Sequence, residues 1–314
     1  MDERPYAHVV SISGGKDSTA LALVCREMID AGMVPPGRII LAFAETDNEH
    51  PITYDYLAYL EDALQMPIVR LRADFAQRIE GKRAYVAEHW PKEGIAAEVV
   101  ERALAALVPT GIAMLDLCIW KGRFPSRRAQ FCTQELKTVP LQNFQLDLVD
   151  EGCCVWSWQG IRADESPNRR YAPIFEEIGD HLFVYRPILR WPAQATFEAM
   201  AISGVRPNPL YTQGMKRVGC MPCINCGKSE LSEIAQRWPE VIDRIASWES
   251  AVAAASKRGA PSFFPAPEDG RADLQGRNIQ ERLQWARTTR GGLQFDLLAD
   301  LPPARCESFY QLCE

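Results

Sequence analysis

The string VVSISGGKDSTALAL at residues 9–23 carries the densest chemistry in the chain. A short apolar run gives way to a polar turn and then to an amphipathic helical pattern. Such a turn offers an anion several backbone N–H groups and the positive end of a helix dipole. Gly14 and Gly15 allow close approach because no Cβ stands in the way. Lys16 adds a mobile positive charge, and Ser13, Ser18 and Thr19 add hydroxyls. The ligand suited to this chemistry is a phosphate or pyrophosphate. The spacing is neither GxxxxGK[ST] nor GxGxxG, which excludes two common nucleotide loops.

Three other groups could act with it. Cys220, Cys223 and Cys226 have the spacing C-x2-C-x2-C. Three thiolates so spaced suit one metal centre, with a fourth ligand supplied from elsewhere. Zinc accepts four thiolates, and so does a [4Fe–4S] cluster. None of the four histidines (His8, His50, His89, His181) lies in the motif. Thr46, Asn48 and Glu49 follow a strand-like run, where they suit ribose hydroxyls, a base edge or Mg²⁺, or simply cap the next helix. Lys137, Arg162, Arg169 and Arg170 carry cations that pair with phosphate or sulfate. Beside acidic residues they would also be ordinary surface charges.

The elements that must position these groups alternate. Strands are expected at 8–12, 38–45, 67–72, 155–161 and 182–188. Helices are expected at 17–31, 53–65, across 74–107 with a break at Trp90-Pro91, at 132–146 with Pro140 interrupting, at 193–202, and at 230–255 broken at Trp238-Pro239. A polar, basic loop is expected over 116–130, and irregular chain over 259–276. The run RIILAFAE at 38–45 is almost wholly apolar, as in a strand covered on both faces. Strand–helix alternation at this spacing predicts an α/β, doubly wound parallel sheet with right-handed crossovers. Ligands of such sheets sit beyond the carboxyl ends of the strands, where residues 13–18 fall. Three parts are expected: a nucleotide-binding domain over 1–215, a cysteine-rich helical segment over 216–258, and an irregular tail over 259–314 with Cys306 and Cys313.

Composition bounds the partners. Lys and Arg number 35 against 41 Asp and Glu, a net charge of −6, so nucleic acid is not attracted globally. A local basic contact at Lys121, Arg123, Arg127, Arg128 and Arg170, near Trp120 and Phe124, stays open. No apolar run is long enough to span a bilayer, and residues 1–5 lack a signal-peptide pattern. The expectation is a cytoplasmic protein, in which ten cysteines point to metal or thiol chemistry rather than structural disulfides.

Taken in order, these motifs resemble a known family. They are SGGKDS at 13–18, FAETDNE at 43–49, Phe131-Cys132 with Leu136-Lys137, Gly160-Ile161-Arg162 with Glu165-Ser166, and Asn208-Pro209-Leu210-Tyr211 leading to Gly219-Cys220-Met221-Pro222-Cys223. The first resembles the PP-loop of ATP pyrophosphatases, and the set resembles the phosphoadenosine phosphosulfate (PAPS) reductase superfamily. The resemblance implies a Rossmann-like, adenine nucleotide alpha-hydrolase-like fold binding ATP or a sulfonucleotide. It places the nucleotide on Ser11, Ser13, Gly14, Gly15, Lys16, Asp17, Ser18, Thr46, Asn48, Glu49, Gly160, Arg162, Glu165 and Ser166. Lys16, Asp17, Lys137, Arg162 and Arg169 would be the catalytic group. Within the superfamily the cysteines are most similar to the DndC-like, iron–sulfur branch, which implies a [4Fe–4S] cluster on Cys132, Cys220, Cys223 and Cys226 and cleavage between the α and β phosphates of ATP. The alternative branch is a genuine PAPS or adenylylsulfate reductase with Cys306 or Cys313 as nucleophile, although the tail lacks the E-C-G-[IL]-H motif of those enzymes. A second alternative is a nucleic-acid-binding sulfur-transfer component. A thioredoxin or cysteine desulfurase type of donor would be the partner.

Overall fold

The computed structural model describes residues 4–259, 261–264, 278–289, 294–295 and 306–313. Its centre is a six-stranded sheet built from β1 (Tyr6–Ile12), β2 (Gly37–Glu45), β3 (Ile68–Arg72), β4 (Cys154–Trp158), β5 (Phe175–Gly179) and β6 (Leu182–Tyr185). The strand order is β3-β2-β1-β4-β6-β5. Pairings among β3, β2, β1, β4 and β6 are parallel, and β5 pairs antiparallel with β6. The doubly wound sheet is therefore as expected, with one antiparallel edge strand that no apolar alternation announced.

Alternate residues of β1 feed two cores, as the two-residue period of a strand requires. Val10 and Ile12 pack with Leu21 and Val24 of α1 (Lys16–Asp30) and with Leu57 and Leu60 of α2 (Pro51–Leu64). Ala7 and Val9 pack with Leu148, alongside Ala42 and Val155. Helix α7 (Val139–Asp150) continues from α6 (Phe131–Thr133) through a π-helical stretch at Gln134–Thr138. Pro140 does not break this run. It follows directly on the π-helical stretch, where the i→i−4 ladder is already interrupted, so its missing N–H is accommodated.

A third core lies away from the sheet. Helices α3 (Ala76–His89), α4 (Ala97–Ala106) and α5 (Ala113–Lys121) share it with α9 (Lys228–Arg237), α10 (Pro239–Ala255) and α11 (Ile279–Ala286). Ile79, Val86, Ala103, Leu117, Ile245 and Val252 are fully buried there. Helix α8 (Ala193–Ile202) instead packs on α1. The cysteine-rich segment expected at 216–258 thus shares its core with residues from within the expected nucleotide domain. The loop expected over 116–130 begins inside α5: the Asp116 carboxylate accepts from Thr110 N, Thr110 Oγ1 and Gly111 N, and Leu115, Leu117 and Ile119 are buried. Most of the irregular stretch expected at 259–276 lies outside the described residues, while α11 falls within the expected tail. Among the described residues, no helix is long and apolar enough to cross a membrane.

Candidate nucleotide site and thiol group

The carboxyl ends of β1, β2 and β4 open into a cavity of about 390 Å³. Residues 11–13 and 15–18 form one wall and Ala42, Phe43 and Ala44 another. Thr138, Leu141, Gln142 and Gln145 of the π–α7 run face them. Strand order reverses direction between β1 and β4, the switch point at which such sheets bind ligands.

The phosphate-type turn is held open by its own side chains. Gly14 has φ of +71°, a left-handed conformation that glycine adopts without strain. Ser18 Oγ accepts from Ser13 N at 3.1 Å and donates to Gly15 O at 3.0 Å. Thr19 Oγ1 also donates to Gly15 O. From outside, Asn208 Nδ2 donates to Gly14 O at 3.1 Å, and the Tyr211 hydroxyl accepts from Lys16 N at 2.9 Å. Both braces come from the segment flanking a 3₁₀ turn at Pro209–Thr212. The first turn of α1 leaves its backbone N–H groups without intrahelical acceptors, which suits an anion.

Lys16 is almost wholly buried, with Nζ 2.8 Å from Asp17 Oδ2. Asp17 is bonded on its other oxygen as well, Oδ1 lying 2.6 Å from Arg162 Nε. Arg162 also pairs with Asp164 at 2.7 Å and donates to Trp191 O. Burial works against the Arg162 charge, but Asp17 and Asp164 outweigh it and hold its pKa above the ordinary value. Arg162 is thus a buried strut between the loop and the chain after β4. Gly160 makes that contact close: a Cβ there would stand 3.1 Å from Asp17 O. Arg169 pairs with Glu165, whose carboxylate also accepts from Arg162 N. Arg169 and Glu165 line the cavity, whereas Ser166, at the residue before the adjoining short helix, lies outside its lining.

The Thr46, Asn48 and Glu49 side chains face the cysteine segment. Glu49 accepts from Thr46 N, Thr46 Oγ1 and the Tyr54 hydroxyl. Cys220 Sγ lies 3.3 Å from Thr46 Oγ1 and 3.7 Å from Glu49 Oε1. Asn48 Nδ2 donates to Pro222 O, and Arg244 bridges Asn48 Oδ1 and Met221 O. Of these three, Glu49 lines the cavity.

Cys132, Cys220 and Cys223 lie near enough to Lys137 to act on its charge: Cys220 foremost, then Glu49, Cys223 and Cys132, hold its pKa above the usual lysine value despite burial. Burial pushes the Cys220 thiol up to about 12 and raises Cys132 and Cys226 as well. Cys226 Sγ is turned to Gly227 O at 3.4 Å. Among the described residues, no three His, Cys, Asp or Glu side chains are grouped as they would be around a metal ion. The donors are soft thiols beside a buried cation, a chemistry that fits an anionic thiolate-ligated centre better than a hard cation.

Sequence reading missed Gln142, Gln145, Ser157, Gln159, Tyr211 and Arg217 as cavity residues. Gln145 Nε2 donates to Ser157 Oγ at 2.8 Å, and Arg186 holds Gln159 Oε1 at 2.9 Å. The signal was the helical spacing of Lys137, Leu141 and Gln145, which puts all three on one face. Of the basic loop residues, Lys121 pairs with Glu135 and Phe124 is buried in the helical core.

A family model described as the phosphoadenosine phosphosulfate reductase domain matches residues 114–226. An uncharacterized 37.8 kDa protein of Escherichia phage 186 is 45% identical, the match covering 100% of each chain. An adenosine 5'-phosphosulfate reductase of Rhizobium meliloti is 30% identical over 28% of this chain and 33% of its own length. The phosphoadenylyl-sulfate reductase of Candida auris superposes with a TM-score of 0.40 at 15% identity, covering 69% of this chain and 82% of that one. With the motif order in agreement, the chain belongs to the PAPS reductase superfamily.

Proposed function

We propose that this chain is an adenine-nucleotide enzyme of sulfur chemistry, of the iron–sulfur, DndC-like type. The observation that carries the reading is Lys137. It lines the nucleotide-sized cavity and stands within electrostatic reach of Cys132, Cys220 and Cys223, so a nucleotide's phosphate or sulfate end bound there would meet a cation on which the thiols also act.

In this reading the amides of Gly14, Gly15, Asp17 and Ser18 and the Lys16 side chain hold the phosphates. The Asp17 and Arg162 side chains fix the loop rather than touch the ligand, because they are bonded to each other. Lys137 and Arg169 stabilise negative charge that develops on transferred phosphate or sulfate oxygens, as preorganised cations do. The amides and hydroxyls of Gln142, Gln145 and Ser157 suit the polar edge of a base. Cys132, Cys220, Cys223 and Cys226 would hold a [4Fe–4S] cluster, which when bound supplies electron or sulfur relay.

Anaerobic purification is expected to yield iron and acid-labile sulfide, with both lost in Cys223→Ser. One zinc per chain and no sulfide would sink the cluster. Pyrophosphate release from ATP is the expected activity. Sulfite formed from PAPS or adenylylsulfate with reduced thioredoxin would instead select the reductase reading.

A further inference from the structure

Cys306 and Cys313 are joined by a disulfide that closes a short loop, and both lie on the exposed surface. The loop they close is docked beside the phosphate-type turn. Glu307 forms a parallel bridge with Gln213. Its carbonyl accepts from Gly214 N at 2.6 Å, and its own N–H donates to Thr212 O at 2.8 Å. The Glu307 carboxylate lies 3.7 Å from Arg237 Nη2. Tyr310 is the anchor. Its hydroxyl donates to Lys216 O at 2.9 Å, and its ring packs 5.0 Å from Phe197 and 5.7 Å from Tyr211, centroid to centroid. Lys16 Nζ stands 5.3 Å from the Tyr310 ring centre. Tyr211 is the residue whose hydroxyl accepts from Lys16 N.

We propose that Cys306 and Cys313 are a reversible redox pair whose disulfide clamps Tyr310 against Tyr211 and Lys16, coupling thiol state to the nucleotide turn. The coupling is entropic. Docking Tyr310 requires an ordered loop, and the cross-link removes conformations from the undocked loop but few from the docked one. Opening the disulfide therefore shifts the equilibrium toward the undocked state. A dithiol reductant supplies the reaction. One of its thiolates attacks an exposed sulfur and displaces the other as thiolate, giving a mixed disulfide. Its second thiol resolves that bond and leaves as the oxidised reductant. Two electrons and two protons pass to Cys306 and Cys313, and no other group changes oxidation state. Exposure of both sulfurs gives such a reductant access.

Effects on nucleotide affinity rest on the function proposed above; the clamp itself does not. The experiment compares amide hydrogen exchange of oxidised and dithiol-reduced protein over residues 13–19 and 209–216, with alkylation and mass spectrometry reporting the state of Cys306 and Cys313. Reduction is expected to speed exchange in both segments by roughly tenfold. Cys313→Ser should match the reduced protein under either condition, which separates the clamp from any reduction elsewhere. Tyr310→Ala should exchange fast in both states. Equal exchange in the two redox states of the wild type overturns the proposal, as does a Cys306–Cys313 pair that stays reduced in oxidant. In a parallel thermal-shift assay ATP is expected to stabilise the oxidised protein more than the reduced. Should exchange respond while ATP protects neither form, the clamp stands and the nucleotide reading falls.

Discussion

Tyr211 shows how one hydroxyl can shape an anion site. Its oxygen accepts the Lys16 N–H in a fully buried setting, so that amide is satisfied and the remaining amides of the turn are left for a ligand. Tyr211→Phe removes the acceptor and leaves a buried N–H unpaired, at a cost of about 1–3 kcal/mol. Urea denaturation is expected to show that loss together with weaker nucleotide protection; unchanged stability would mean that water replaces the hydroxyl. His8 makes a second, pH-dependent case. Its Nδ1 accepts from Trp158 Nε1 at 3.1 Å and its Nε2 lies 2.9 Å from Pro35 O, so the neutral ring with its proton on Nε2 satisfies both. Burial lowers its pKa against the opposing pull of the Pro35 carbonyl. A lowered folded pKa means that the unfolded chain binds the proton first. Stability from the neutral ring is whole above the unfolded value near 6.5 and drains as pH falls through it toward the folded value. The slope is at most ~1.4 kcal/mol per pH unit from this one group. His8→Gln should flatten stability against pH between 7 and 5; a variant with the wild-type slope would assign the dependence elsewhere.

At the scale of elements, the turn after β4 and the start of α1 meet backbone to backbone. A Cβ on Gly160 would lie 3.1–3.3 Å from Asp17 O, Asp17 C and Ser18 N, and backbone on both sides cannot swing away. Gly160→Ala is therefore expected to shift the turn or strain β4, losing about 1–3 kcal/mol and weakening anion binding. Calorimetry with and without ATP tests both, and a neutral substitution would show that the two segments are not tightly apposed. This contact also marks where sequence reading reaches and stops. The strand–turn–helix at residues 9–23 was legible because apolar residues, glycines and hydroxyls follow the local periods of strand and helix. The antiparallel β5 was not, because FEEIG at 175–179 is an edge strand with little buried surface to impose a pattern. Thr46 and Asn48 could be read as ligand contacts from position alone; that Thr46 meets the Cys220 sulfur and Asn48 the Pro222 carbonyl depends on contacts more than 170 residues away in the chain. The pairing of Arg162 with Asp17 was hidden in the same way, since the two are 145 residues apart.

For the whole molecule, the question is whether the sheet and the helical core open together. The sheet's two faces bury separate clusters, and the helical core of α3–α5 and α9–α11 is a third. One buried carboxylate gathers much of that third core. Glu249 on α10 accepts from Phe263 N on Oε1 and from Ile279 N on Oε2, each at 2.7 Å, with Ser262 Oγ at 3.3 Å. It therefore ties α10 to residues 261–264 and to the start of α11. Glu249→Gln keeps the volume but turns one acceptor into an NH₂ facing a backbone N–H, a loss of about 1–3 kcal/mol. Because the contacts it holds lie within the helical core, the expected result is local. Amide exchange should quicken over 279–286 and 245–255 while β1, β2 and β4 keep their protection. Cys226 belongs to this core and Cys220 and Cys223 border it, while the Met221–Pro222 backbone between them is pinned to the sheet's carboxyl edge through Asn48 and Arg244. A helical core that opens alone would thus loosen the thiol group without dissolving the phosphate turn: alkylation of Cys220 and Cys223 should quicken in Glu249→Gln while ATP still raises the melting temperature. Uniform loss of protection across β1 and α10 alike would show instead that the three clusters form one cooperative unit.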